Sequence, residues 1–98
     1  MINLFQGNTG IKLGDISGHY KFENCQDIEI NSIDNDSDIE FVNCKNVIFN
    51  EFDARNNNIK LKMTKVKGFE FKTLFVFDDV HLSEFKEKFG KSLKSFVN

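Results

Sequence analysis

The chain has 98 residues and a formal net charge of −2, with 40% hydrophobic and 29% charged residues, which is the balance of one small globular domain. No apolar run approaches the roughly 20 residues that cross a bilayer as a helix, so we expect neither a membrane protein nor a membrane partner. The first residues lack the basic flank and apolar stretch of a secretory signal. We therefore expect a cytoplasmic protein.

One phrase occurs twice in the chain and indicates a structural repeat. Residues 22–31 read FENCQDIEIN, and residues 41–50 read FVNCKNVIFN. A weaker copy precedes the first, with Phe5, Ile11 and Leu13 in the positions of Phe22, Ile28 and Ile30. Another weaker copy follows the second, in equivalent positions at Met63, Val66, Phe69 and Phe71. Four copies therefore cover about residues 2 to 74.

Within each copy the apolar residues alternate with polar ones, as Tyr20 and Phe22 or Ile28 and Ile30 do, and this period of two predicts strands. The segments between copies are rich in Asn, Asp, Gly and Ser, which favour turns. A repeat this short cannot bury its apolar side alone, whereas stacked copies share a continuous core. We predict a mainly β fold, a short parallel β-helix or β-solenoid of about four coils over about residues 2–79.

The motif Asn-Cys-x-(Asp or Asn)-(Ile or Val)-x-(Ile or Phe)-Asn occurs in both strong copies, at residues 24–31 and 43–50. On this motif, about three quarters of the chain resembles the right-handed parallel β-helices of the pectate-lyase type. The resemblance implies ladders of side-chain amides that join Asn24 to Asn43 and Asn31 to Asn50. It implies no active site, because the acidic and basic clusters of those much longer enzymes have no counterpart here. We therefore do not expect an enzyme.

The outward positions of the predicted strands alternate in charge from one copy to the next. Lys21, Glu40 and Lys62 would lie on successive rungs about 4.8 Å apart, the spacing of neighbouring strands. Opposite charges across such a ladder each stabilise the sheet by about a few tenths of a kcal/mol, whereas like charges destabilise it. The charge pattern thus supports the same register as the apolar pattern.

The last segment has a different period. From Val80 onward the apolar residues recur every three or four positions, which is helical spacing, at Leu82, Phe85, Phe89, Leu93 and Phe96. We predict an amphipathic helix over about residues 80–97, begun by a cap at Asp79 or Ser83, that covers the open end of the solenoid. Binding to a membrane surface or to a partner is the alternative use of such a helix.

The sequence contains few candidates for chemistry. Cys25 and Cys44 occupy equivalent core positions and lack the spacing of a redox or zinc site, so we expect two buried thiols. His19 and His81 have no neighbouring pattern of a nucleophile or general base. We predict no catalytic residue and no cofactor.

Acidic residues concentrate in the first half of the chain. Residues 1–53 carry a balance of −7 and residues 54–98 a balance of +5. Carboxylates at every second position of residues 34–40 are candidate Ca²⁺ ligands, but the Gly and the distal Glu of an EF-hand loop are absent, so we assign no metal. We predict instead a surface for a basic protein partner, made of Asp34, Asp36, Asp38, Glu40, Glu51 and Asp53.

A nucleic-acid partner is the natural hypothesis for the basic residues of the second half. Phosphate contacts would require Arg55, Lys60, Lys62, Lys65, Lys67 and Lys72 to share one face. The isoelectric point near 5.6 makes the whole protein a poor ligand for a polyanion. We therefore expect a protein partner and no nucleic acid.

Three function classes fit these observations. The first is a small non-enzymatic inhibitor, an immunity protein that neutralises a bacterial toxin such as a basic nuclease through its acidic face. The second is a phage-encoded anti-defence inhibitor, which would use the same physics on another target. The third is a carbohydrate-binding or carbohydrate-acting β-helix, which rests on analogy of fold. We adopt the first as the working hypothesis, and the sequence leaves the oligomeric state open.

Overall fold

The computed structural model describes residues 1–56, 58–89 and 93–96. It is a parallel β-solenoid of about four turns with one short helix near the C-terminus, which confirms the predicted fold class. The elements in chain order are β1 (Ile2–Gln6), β2 (Thr9–Ile16), β3 (His19–Glu23), β4 (Gln26–Ile33), β5 (Asp38–Asp53), β6 (Lys60–Phe75), α1 (Asp79–Phe89) and β7 (Leu93–Phe96).

The coils stack in chain order. Coil 1 consists of β1 and β2, coil 2 of β3 and β4, coil 3 of β5 and coil 4 of β6, and all neighbouring strands are parallel. The register places Phe5 beside Phe22, Phe22 beside Phe41, and Phe41 beside Met63. The alignment of the four copies that the repeat predicted is therefore confirmed.

Each coil contains a unit of constant length followed by a loop of variable length. The units are residues 2–16, 19–33, 38–52 and 60–74, whose last residues Ile16, Ile33, Phe52 and Leu74 occupy equivalent positions. The loops that join them are residues 17–18, 34–37 and 53–59. The unequal spacing of the four copies arises entirely in these loops.

A corner in the left-handed region of backbone conformation joins the two strand stretches of every unit. In the motif coils, φ is 54° at Asn24, 56° at Asp27, 53° at Asn43 and 55° at Asn46. Asn and Asp tolerate this conformation better than most side chains, and glycine adopts it freely. The equivalent corner positions of coils 1 and 4 also have positive φ, at Gly7, Gly10, Lys65 and Gly68. The corner residues Asn24, Asn43 and Asn46 are therefore suited first of all to the backbone.

The predicted amide ladders are present. Asn43 Nδ2 donates to Asn24 Oδ1 at 2.6 Å, and Asn50 Nδ2 donates to Asn31 Oδ1 at 3.3 Å. A third rung, which the resemblance did not imply, runs from Asn46 Nδ2 to Asp27 Oδ1 at 3.1 Å. The predicted charge ladder is present in its first step, because Lys21 Nζ lies 3.9 Å from Glu40 Oε1. Lys62 is beside Glu40 in the strand register, as predicted.

The core is a set of columns that run through the coils. The rings of Phe22 and Phe41 stack with centroids 4.8 Å apart, and Phe49 and Phe71 stack at 5.7 Å. Burying one Phe side chain stabilises the fold by about 1.5–3 kcal/mol, so these columns supply much of the free energy of folding. The predicted core positions of the motif coils are buried, at Phe22, Cys25, Ile28, Ile30, Ile39, Phe41, Cys44, Val47 and Phe49.

The C-terminal segment differs in part from the prediction. Helix α1 begins after Asp78, whose Oδ1 accepts from the His81 amide at 2.8 Å, so the cap is Asp78 rather than Asp79 or Ser83. Phe85 packs on Phe52 and Phe71 with centroids 5.8 and 5.4 Å apart, so the helix covers the last two coils.

The helix predicted to residue 97 is wrong over residues 93–96. Residues 93–96 form β7, which pairs in parallel with Phe69–Phe71 of β6, and residues 90–92 and 97 lie outside the described ranges. An exposed strand edge offers unpaired amides and carbonyls, and a further strand satisfies them. The spacing of apolar residues could not show that residues 93–96 would pair with β6 rather than continue a helix. No helix within the described ranges is both long and apolar enough to span a membrane.

Candidate functional site

The six carboxylates predicted to bind a partner lie around the junction of coils 2 and 3, and we call this surface the acidic edge. It consists of Asp34 and Asp36 in the loop after β4, and of four residues in β5, Asp38 and Glu40 near its start and Glu51 and Asp53 at its end. The structure therefore gathers the set on one loop and on the two ends of the coil that follows it.

Backbone hydrogen bonds anchor the loop of the acidic edge at both ends. The Asp34 amide donates to the Ile16 carbonyl at 2.9 Å, and the Asp38 amide donates to the Gly18 carbonyl at 2.9 Å. Between them Asp36 has a φ of 63°, which turns the chain tightly. The loop is thus part of the stack at its ends, while the side chains of Asp34 and Asp36 are exposed.

Two members of the acidic edge form ion pairs within the chain. Glu40 lies 3.9 Å from Lys21, and Asp53 binds Arg55 through two contacts, Nε to Oδ1 at 2.8 Å and Nη2 to Oδ2 at 2.9 Å. The hydrogen bonds from Arg55 hold the pKa of Asp53 below its usual value, and Asp53 raises the pKa of Arg55. These charges are partly neutralised before any partner arrives.

The remaining members differ in their surroundings. Asp38 is beside Lys60 in the strand register, whereas Glu51 is beside the neutral Thr73. Asp34, Asp36 and Glu51 are all exposed. Within the described part of the chain, the unpaired negative charge of the acidic edge therefore lies at Asp34 and Asp36 in the loop and at Glu51 near the end of β5.

The alternating carboxylates of residues 34–40 are the candidate Ca²⁺ ligands of this surface. Across residues 1–56, 58–89 and 93–96, the structure brings together no group of three or more His, Cys, Asp or Glu side chains suited to a metal ion.

A buried serine lies beneath the loop. Ser37 is 1% exposed, and Ile39 and Phe41 follow it at the inward positions of the strand. Its Oγ finds no hydrogen-bond partner among the described residues. A buried hydroxyl without a hydrogen-bond partner lowers the free energy of unfolding, so Ser37 destabilises the fold directly beneath the acidic edge.

A cleft of about 290 Å³ lies between α1 and the wall of coils 3 and 4. The sequence did not predict it, because it depends on how the helix packs rather than on spacing. Its floor is apolar and its rim polar, and the lining residues are Phe52, Ala54, Asn56, Ile59, Leu61, His81, Glu84, Phe85 and Lys88. Among these described residues Glu84 is the one carboxylate, so the lining lacks the paired carboxylates typical of sites that act on carbohydrates.

An exposed apolar group borders the start of α1. Phe77 is 71% exposed, and Phe75 and Val80 are also exposed. The Phe77 ring stacks on His81 at 5.2 Å, and the Phe77 amide donates to His81 Nδ1 at 3.1 Å, so the proton of the neutral ring is on Nε2. The Arg55 guanidinium lies 5.5 Å from the centre of the Phe75 ring. The sequence analysis did not predict this group. The available signal was that Phe77 belongs neither to the strand repeat, which ends at about residue 74, nor to the helical pattern that begins at Val80.

The two thiols are structural. Cys25 and Cys44 are buried and form no disulfide, and Cys44 Sγ donates to the carbonyls of Phe22 and Val42 at 3.4 Å each. Burial raises the pKa of the Cys44 thiol, so it remains protonated at neutral pH. The prediction of two buried core cysteines is confirmed.

Comparison of the chain with protein-family models, curated proteins and solved structures finds no match in any of the three.

Proposed function

We propose that this protein is a small non-enzymatic inhibitor that binds a basic protein through the acidic edge, in the manner of an immunity protein that neutralises a toxin such as a nuclease. The observation that carries the proposal is the loop of residues 34–37. It presents exposed carboxylates outside the stack while both of its ends are fixed by backbone hydrogen bonds. Such preorganisation lowers the entropy lost on binding.

The distribution of charge along the solenoid supports the same function. Residues 1–59, which build coils 1 to 3 and their loops, carry a balance of −6, and residues 60–98 carry +4. A field of this shape attracts a basic partner to the acidic coils and repels it from the basic end. It therefore favours one orientation of approach and raises the association rate at low ionic strength.

The test is to co-express the chain with the protein encoded by the neighbouring gene and to measure the complex by size-exclusion chromatography and calorimetry. The triple variant Asp34→Asn, Asp36→Asn, Asp38→Asn should bind at least tenfold more weakly, because each lost charge pair at an interface is worth about 1 kcal/mol or more. It should also lose its protection of cells that carry the toxin.

The matched control removes the same number of charges from α1, by Asp79→Asn, Glu84→Gln and Glu87→Gln. This variant has the same net charge as the first but an intact acidic edge, so its affinity should remain within about twofold of the wild type. Equal binding by both variants and the wild type would exclude the acidic edge as the contact surface. Absence of a complex with the wild type would exclude that gene product as the target.

An anti-defence inhibitor would use the same surface on a different target. The choice between the two depends on which partner forms the complex, a toxin or a defence enzyme, and the binding assay with each distinguishes them.

A further inference from the structure

The first coil leaves one edge of the solenoid open. Within the described ranges, β1 pairs with β3 alone, and β2 pairs with β4 alone. The Gly7 amide donates to the Glu23 carbonyl at 2.9 Å, toward coil 2. Because amides alternate in direction along a strand, those of Ile2, Leu4 and Gln6 point away from the stack, together with their carbonyls. This edge is a template for another strand.

The core is also uncovered at this end. Phe5 stacks on Phe22 with centroids 5.0 Å apart, yet Phe22 is fully buried and Phe5 is only partly buried. The outward residues Ile2 and Leu4 are 44% and 48% exposed. Apolar side chains therefore surround the unpaired backbone of β1 on both of its faces.

Charge distinguishes this edge from the opposite one. The residues of β1 are Ile2, Asn3, Leu4, Phe5 and Gln6, none of them charged. The equivalent stretch of β6 in coil 4 carries Lys60 and Lys62, and lysine on an edge strand disfavours further pairing, while β7 covers Phe69–Phe71 of the same strand. The chain thus protects the edge of coil 4 and leaves that of coil 1 unprotected.

We propose that coil 1 is a dimer interface, in which β1 pairs antiparallel with β1 of a second copy across a twofold axis at Leu4. A twofold interface places the same net charge on both sides, so a strand with a net charge would repel its copy, whereas the uncharged β1 does not. A basic or acidic partner would gain no electrostatic attraction from β1. The partner that best suits the uncharged strand β1 is therefore a second copy of the same strand.

The inward and outward faces of β1 fix the register. In an antiparallel pair, residues that face each other point to the same side of the sheet, so inward residues must lie opposite inward residues. The twofold axis must therefore pass through a residue rather than between two residues. An axis at Leu4 pairs all five residues of β1 with those of the second copy. Leu4 then lies opposite Leu4 of the second copy, with Cα atoms about 5.5 Å apart as in a hydrogen-bonded pair. Ile2 lies opposite Gln6 of the second copy, and the two Ile2 residues are about 14 Å apart.

The first experiment measures mass by light scattering over a wide range of concentration. The wild type should reach twice its 11.4 kDa. Leu4→Lys should remain an 11.4 kDa monomer with an unchanged circular dichroism spectrum, because Leu4 points outward and the new charges would meet at the axis. Val80→Lys makes the same change at another exposed apolar residue and should remain dimeric.

Three results would overturn the proposal: a wild type that is monomeric at all concentrations, a dimer that survives Leu4→Lys, or masses that grow beyond the dimer. Cysteine cross-linking tests the register separately. Leu4→Cys should form a disulfide dimer, and Ile2→Cys should not, since a disulfide requires Cα atoms within about 7 Å. Equal cross-linking of both variants would contradict the twofold axis at Leu4. The native thiols do not interfere, because both are buried.

Discussion

Residues 19–33 and 38–52 correspond position by position, whereas the loops that follow them, residues 34–37 and 53–59, share neither length nor sequence. The units contain the left-handed corners, the amide ladders and the buried columns, so each position is constrained by the coil on either side. The loops are held by backbone hydrogen bonds at their ends, by the hydrogen bond from Asn56 Nδ2 to Asn35 Oδ1 and by the burial of Ser37, and these constraints leave the side chains of Asp34 and Asp36 exposed. The two exposed carboxylates of the loop after coil 2, Asp34 and Asp36, are therefore free to serve a purpose other than folding.

The largest effect expected from this comparison comes from inserting a single glycine. Placed between Ile28 and Glu29, it would reverse the inward and outward faces of the remaining strand, so polar side chains would enter the core and the domain should not fold. The same glycine between Asn35 and Asp36 lengthens a loop and should cost less than about 1 kcal/mol. Thermal denaturation followed by circular dichroism compares the two. Similar losses would mean that the loop is as constrained as the unit.

The next effect concerns the corner. Asn43→Val places a β-branched residue where φ is 53° and also removes the hydrogen bond to Asn24, so stability should fall by about 2–3 kcal/mol. Asn43→Gly loses the same hydrogen bond but suits the backbone, and should cost about 1 kcal/mol. Urea unfolding measures both values. A valine variant as stable as the glycine variant would refute selection of Asn by the backbone.

Two serines, one on a loop and one on a unit, should respond in opposite directions to the same substitution. Ser37→Ala removes a buried hydroxyl that lacks a partner in the described part of the chain, so stability should rise by about 1 kcal/mol. Ser32→Ala removes the bond from Ser32 Oγ to Asp15 Oδ1 at 2.7 Å, so stability should fall by about 1 kcal/mol. A loss at Ser37 measured by urea unfolding would show that its hydroxyl is satisfied in solution.

The smallest effect is a dependence on pH. Hydrogen bonds from Ser32 and Asn31 hold the pKa of Asp15 below its usual value of 3.8. The folded state therefore prefers the ionised carboxylate, and this stabilisation is present above the usual pKa and lost as pH falls through the lowered one. Asp15→Asn should make the urea midpoint less sensitive to pH between about pH 5 and pH 2. An unchanged sensitivity would assign the acid response to other carboxylates.

Much of the fold was predictable because the repeat encodes it twice, once in apolar spacing and once in outward charge. The alternation of Lys21, Glu40 and Lys62 follows the same spacing as the Phe columns, and either pattern alone gives the register. The Asn ladders followed from resemblance, but the positive φ at Asn24 and Asn43 is a property of the backbone that the sequence does not state.

The features that the sequence did not predict depend on contacts between distant elements, which the spacing of apolar residues does not show. Leu93 and Phe96 have helical spacing relative to Phe89, yet the open edge of β6 recruits their backbone as a strand. The position of the cleft beside α1 depends on how the helix is oriented when Phe85 packs against Phe52 and Phe71. At the acidic edge the residues were predictable, while the pairing of Asp53 with Arg55 was not foreseen.

Every stacked position lies a single repeat away from its partner in sequence, and within the described ranges each coil pairs with the coils directly beside it. The number of coils is consequently not fixed by the fold. Duplicating residues 19–37 would insert a complete coil whose upper and lower faces already fit their new neighbours, so gene duplication could lengthen this protein without redesigning its core. The motif that the two central coils share, at residues 22–31 and 41–50, is what such an event would leave behind.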